Sequence, residues 1–130
     1  MKNIILTTLL ATGALYAQSA EEIIDANGCL ACHAVASMKS APAFAGIGKR
    51  NKRFEGADAK ATIINSIKNG SQGKYPHFAL SAMPPFTNLS DAELSSVADY
   101  ILAQSSKAKG HGGGMGMNNG MGRGMKQWNI

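Results

Sequence analysis

Three stretches of the 130-residue chain carry apolar residues in helical arrangement, each bracketed by start or stop signals. In residues 57–68, Ala61, Ile63, Ile64 and Ile67 recur at spacings of three and four, and Asn69-Gly70 supplies a stop, which predicts a helix. A second helix is predicted to open at Ser90: this serine is a good cap, Glu93 stands three residues on, as a capping box requires, and Leu94, Val97 and Ile101 share a face beside Tyr100. A shorter helix is predicted over residues 20–27, where Ile23 and Ile24 sit among acidic residues suited to a first turn and Gly28 suits the end. Between these lie two stretches without such a pattern. Residues 37–56 hold small residues, Pro42 and three glycines, with Phe44 and Ile47 as the bulky apolar side chains before Phe54, and read as an irregular crossing. Residues 71–87 contain Pro76, Pro84 and Pro85, which break helices and do not fit a central strand, and read as an extended loop ordered by what it packs against. No run alternates as a strand does and no internal repeat is present, so the expected fold class is all-α, with short helices and long loops.

The two ends narrow the folding unit. Residues 1–17 combine Lys2 with an apolar or small run ending at Leu15-Tyr16-Ala17, the pattern of a secretory signal peptide cleaved after Ala17 and too short for a membrane span. Residues 107–130 hold eight of the fifteen glycines and four of the seven methionines with almost no branched aliphatic residue, a composition that cannot bury a core. Residues 18–106 therefore form the expected domain, about 90 residues long, a size at which a purely protein core is marginal. The formal charge of +5 comes from the two ends, since residues 18–106 hold eight basic and eight acidic side chains. A neutral domain with a basic tail does not fit nucleic-acid binding. One cluster, Lys49-Arg50-Asn51-Lys52-Arg53, reads as a solvated loop. Long loops in so small a domain need an object at the centre to hold them.

Cys29 and Cys32, the only cysteines, are followed at once by His33. Cys-x-x-Cys-His is the attachment signature of a c-type haem: two thiols three positions apart can reach two vinyl groups on one edge of the porphyrin, and the next residue offers an imidazole to the iron. An exported chain suits that chemistry. A structural disulfide between Cys29 and Cys32 would close a very small ring and leave His33 without a task. A thioredoxin-like pair would need a preceding strand, and a zinc site would need further ligands, with only His77 available outside the tail. Methionine is a usual second axial partner of a histidine-ligated haem. Met38 lies too near His33 in sequence to cross to the other face of the ring, whereas Met83 lies fifty residues on, in Met83-Pro84-Pro85, where the following proline restricts its backbone. His33 and Met83 are thus the expected iron ligands, with His77 the rival to Met83.

With these residues in place, the chain from residue 20 to 104 resembles the small bacterial class I cytochromes c, monohaem periplasmic electron carriers. The resemblance rests on Cys29-Leu30-Ala31-Cys32-His33, Ala41-Pro42-Ala43-Phe44, Ile67-Lys68-Asn69-Gly70-Ser71-Gln72-Gly73, Met83-Pro84-Pro85 and Leu89-Ser90-Asp91-Ala92-Glu93-Leu94, in that order. It implies that the Pro42 carbonyl accepts a hydrogen bond from His33 Nδ1, that Tyr75 stands near a haem propionate where many relatives carry tryptophan, and that Ile24 packs near Tyr100. It also implies one covalent haem c, one-electron transfer without chemical change to a substrate, and a monomer in the periplasm. The expected partners are redox donors and acceptors such as respiratory complexes, oxidases or reductases, met through weak and transient docking, without nucleic acid or stable membrane insertion. Lys39, Lys49 and Lys52 are candidates for steering an acidic partner. Two alternatives remain open. His111, Met115, Met117, Met121 and Met125 are soft ligands suited to Cu(I), so the tail could bind or deliver copper. A labile Met83 would instead make the protein a haem sensor or peroxidase.

Overall fold

The computed structural model describes residues 17–109. Four helices, α1 (Ala20–Ala26), α2 (Phe44–Phe54), α3 (Ala59–Asn69) and α4 (Asp91–Ala103), carry the fold. At the start of α4 the Ser90 hydroxyl accepts from the Glu93 N–H at 3.2 Å and the Glu93 carboxylate accepts from the Ser90 N–H at 2.7 Å, the capping box expected there. The same reciprocal pair, Ser19 with Glu22, opens α1. That second box matters because a seven-residue helix has few internal hydrogen bonds, and two otherwise unpaired donors at its start are satisfied locally.

Helix α2 corrects the expectation of an irregular crossing over residues 37–56. Its buried face is Phe44, Ala45, Gly48 and Asn51, at helical spacing but made largely of small side chains, so hydrophobicity alone does not reveal it. The small residues serve contact with α4. A Cβ at Gly48 would collide with the Ile101 carbonyl oxygen and lie 3.3 Å from Leu102 Cα, so the two backbones touch where a larger residue would part them. The basic cluster is likewise not a solvated loop: it rides on α2, and within it Asn51 is 1 % exposed.

The structure also pairs two strands where none was expected. β1 (Ser71–Gln72) runs antiparallel to β2 (Ala82–Met83), with Ser71 opposite Met83 and Gln72 opposite Ala82. Two residues are too few to show alternation. The segment between them bears one 3-10 turn, Pro76–Phe78.

Ile23, Ile24, Phe44, Ile63, Val97, Ala98 and Ile101 form one contiguous core, against which Ile47, Ile67, Leu89 and Tyr100 pack. Helix α4 is its axis, touching α1, α2 and α3. Ile24 and Tyr100 belong to this same cluster, so the first and last helices close the fold. Among the described residues no helix is long and apolar enough to cross a membrane. The expected leader falls outside the described residues except for Ala17. So does the tail beyond residue 109, including all five candidate copper ligands; Lys107 ends a 3-10 turn, Gln104–Lys107, that follows α4.

Candidate cofactor site

Gly28 ends α1 with φ 68° and ψ 21°, a left-handed conformation that costs glycine little, and turns the chain into a 3-10 turn, Cys29–Ala31. The His33 N–H then donates to the Cys29 carbonyl at 2.9 Å. The motif is thus one tight helical turn, in which side chains three apart share a face. Further bonds fasten it to the next segment: the Ala41 N–H donates to the Cys32 carbonyl at 3.1 Å, and Lys39 Nζ donates to the Leu30 carbonyl at 2.7 Å. Cys29 and Cys32 are not joined to each other by a disulfide. Before any attachment, burial pushes the Cys29 thiol up from its ordinary value, with a backbone hydrogen bond opposing and Cys32 adding to the rise.

His33 is buried and held on two sides. Its Nδ1 lies 2.6 Å from the Pro42 carbonyl oxygen, as the resemblance implied. A carbonyl can only accept, so Nδ1 carries the proton and Nε2 keeps its lone pair for a metal. The ring also stacks on Phe44, with centroids 5.2 Å apart and planes 21° apart, and Phe44 meets Tyr100 edge-on. Burial lowers the imidazole pKa, against the opposing effect of the Pro42 bond, and so favours the neutral, metal-binding form.

These groups face a cavity of about 290 Å³. Cys29, Cys32, His33, Pro42, Tyr75 and Met83 all line it, so every site residue expected from the sequence comes to one place. Met38, 66 % exposed, and His77, also exposed, are not among its lining residues. The remaining wall is mostly apolar and drawn from all four helices, through Ile24, Ile47, Ile63, Ile67, Val97 and Ile101. An apolar slot furnished with two thiols, an imidazole with a free nitrogen and a thioether fits a large flat ring with an iron at its centre.

One corner of the cavity is polar, and sequence reasoning missed most of it. Asn51 Nδ2 donates to the Ile47 carbonyl at 2.9 Å and lies 3.4 Å from Tyr75 Oη, while Lys74 Nζ comes within 3.5 Å of Asn51 Oδ1. Behind them the Arg50 guanidinium rests between the Tyr75 and Phe54 rings, 5.1 Å and 5.4 Å from their centroids, and its Nη1 is buried with no partner. Burial lowers the Lys74 pKa, with Glu55 opposing and Arg50 reinforcing that shift; burial raises the Tyr75 phenol, with Asn51 and Arg50 opposing and Glu55 reinforcing. An unpartnered guanidinium nitrogen beside a lysine and a phenol suits the carboxylates that a haem carries at one edge. The signal for Asn51 lay in the spacing Phe44, Ile47, Asn51, which places it on the inner face of a helix.

Comparison with known proteins agrees with this geometry. The Cytochrome c family profile matches residues 17–105. Cytochrome c-551 of Pseudomonas aeruginosa is 38 % identical over 110 residues, covering 80 % of this chain and 99 % of that protein. Cytochrome c-552 of Nitrosomonas europaea is 35 % identical over 105 residues, covering 78 % and 97 %. The crystal structure of wild-type Nitrosomonas europaea cytochrome c552 superposes with a TM-score of 0.56 at 32 % identity, covering 65 % of this chain and 98 % of that one. The chain belongs to the cytochrome c family, as a small class I monohaem member whose cofactor is one covalently bound haem c.

Proposed function

We propose that this protein is a periplasmic one-electron carrier whose haem is attached through Cys29 and Cys32 and ligated by His33 and Met83. The observation that carries the reading is the convergence of these four residues on one cavity although fifty positions separate the two ligands. A haem bound there supplies reversible one-electron exchange at its iron.

The chain's own residues determine what such a group can do. Cys29 and Cys32 retain it covalently, independent of equilibrium affinity. The bond to Pro42 fixes the tautomer and plane of His33, so that Nε2 is always the ligating atom. Met83, followed by two prolines, supplies a soft sulfur from a stiffened backbone. With His33 and Met83 both serving as ligands, a haem held here would keep no open position for oxygen or peroxide, which favours a carrier over a sensor or peroxidase. The apolar wall would exclude water, and Lys74 and Tyr75, which line the cavity with Arg50 stacked behind Tyr75, would hold the carboxylates of the ring. Redox donors and acceptors then meet the domain, residues 18–106, in short-lived encounters. The candidate steering residues Lys39, Lys49 and Lys52 are all exposed, and Lys39 and Lys52 also donate to the Leu30 carbonyl and the Ser105 hydroxyl.

Mass spectrometry of the mature protein, together with a ferric absorption spectrum, tests this reading. A mass equal to polypeptide plus one haem, pigment resistant to acid-acetone extraction and the weak sulfur-to-iron charge-transfer band are expected. Freely extracted pigment overturns covalent attachment, and a high-spin spectrum without the sulfur band overturns ligation by Met83.

A further inference from the structure

Met83 sits in β2, and three features bind its neighbourhood to the C-terminal end of α3. The β1–β2 ladder puts Ser71, two residues past α3, opposite Met83. The Phe86 N–H donates to the carbonyl of Ile67, in the last turn of α3, at 2.9 Å. Between these two tethers lies Gly70, whose φ of 78° and ψ of 169° fall in a region essentially reserved for glycine. A Cβ on Gly70 would lie 2.7 Å from the Met83 carbonyl oxygen, 3.1 Å from Pro85 N and 3.3 Å from Pro84 C. All three are backbone atoms, which cannot swing aside as the end of a long side chain does.

The segment leading into β2 is held differently. Its backbone bonds outside the ladder are local, from the Phe78 N–H to the Tyr75 carbonyl and from the Ser81 N–H to the Phe78 carbonyl, and Leu80 at its tip is 95 % exposed. Tyr75, Phe78 and Ser81 of that arc line the cavity, and its tip at Leu80 stands clear of the protein. The arc does not determine where Met83 lies.

We propose that the end of α3 acts as a backbone clamp on Met83-Pro84-Pro85, with Gly70 the positioning residue that lets the ligand-bearing strand approach closely enough for the Met83 sulfur to reach the iron. The clamp rests on the reading of Met83 as an axial ligand. Helix α3 is packed on α4 and α2, so the rigidity of the core passes through Gly70 to the ligand. The sulfur is thus held at its site by main-chain contacts on the far side of the strand.

The test uses mature ferric holoprotein in four forms: wild type, Gly70→Ala, Gly56→Ala, and a chain with two glycines inserted after Leu80. Gly56 also has positive φ, 55°, but a Cβ there meets nothing within 4 Å, so its variant reports the general consequence of losing such a glycine. The readouts are the sulfur-to-iron charge-transfer band and the apparent affinity for added imidazole. Gly70→Ala is expected to weaken the band and to bind imidazole at least about tenfold more tightly, because apparent affinity rises with the fraction of molecules whose sulfur has left the iron. Gly56→Ala and the insertion are expected to keep the wild-type band and affinity. The clamp is overturned if Gly70→Ala keeps the band with imidazole affinity within about twofold of wild type, if Gly56→Ala matches it in both readouts, or if the insertion abolishes the band. Should Gly70→Ala give no folded holoprotein, the insertion decides alone: a retained band supports the clamp and a lost one refutes it. A wild-type protein lacking the band would refute ligation by Met83 itself, a failure distinct from that of the clamp.

Discussion

Two glycines two positions apart on α2 should respond to the same substitution with opposite signs. Gly46 faces open space, since a Cβ there meets nothing within 4 Å. Gly46→Ala should therefore stabilise the protein by about 0.5–1 kcal/mol through reduced freedom of the unfolded chain and better helix propensity. Gly48→Ala gains the same helical advantage, but its methyl group must enter the contact with the Ile101 carbonyl and Leu102 backbone of α4. Both partners are helix backbones in the packed core, so neither yields without opening the interface. Overpacking of this kind costs about 1–3 kcal/mol, and because the propensity gain is common to both variants, they should differ by about that amount. Equilibrium guanidinium unfolding of the holoprotein measures the difference as displaced midpoints at constant slope. If both substitutions raise the midpoint equally, α2 and α4 do not meet backbone to backbone and the explanation for this helix's small-residue face is wrong.

Ser90→Ala removes one half of the capping box on α4 and should lower stability by about 1 kcal/mol in the same assay, while Ser95→Ala, within the helix and outside the box, should change little. The Tyr75 phenol, raised by burial above its ordinary 10.0, binds its proton more tightly in the folded state than in the unfolded one. Its contribution is therefore full below the unfolded value and is lost as pH rises through that value toward the folded one. Tyr75→Phe should flatten the fall in unfolding midpoint above about pH 10 relative to wild type, and parallel curves would count against the burial of that hydroxyl. A chain matured without haem leaves unfilled an apolar cavity lined by all four helices, a loss of packing that a small domain of marginal stability does not withstand. Cys29→Ala/Cys32→Ala protein produced without haem should accordingly show no cooperative thermal transition at 25 °C or above, as read by near-ultraviolet circular dichroism.

The chemistry of the site was legible because its densest part is contiguous. Cys29, Cys32 and His33 declare a covalent cofactor within five residues, and Met83 is conspicuous between alanine and two prolines. Helices α1, α3 and α4 were legible from caps and isoleucine or valine spacing. Helix α2 was not, because its buried face is Ala45, Gly48 and Asn51 beside Phe44, and glycines that admit a neighbouring backbone look in sequence like glycines that end a helix. That misreading also hid the polar corner. In sequence Arg50 and Asn51 read as part of a solvated run, whereas the helix turns Asn51 inward and lays Arg50 across Tyr75, a residue distant in sequence. The two-residue ladder was illegible for a simpler reason, since pairing that short leaves no periodic trace.

Because α1, α2, α3 and α4 each lend a wall to one cavity, no subset of them makes a closed unit. The chain consequently advertises its own completion. A copy without its cofactor would therefore open more often than a filled one, and added peptidase would cut it faster.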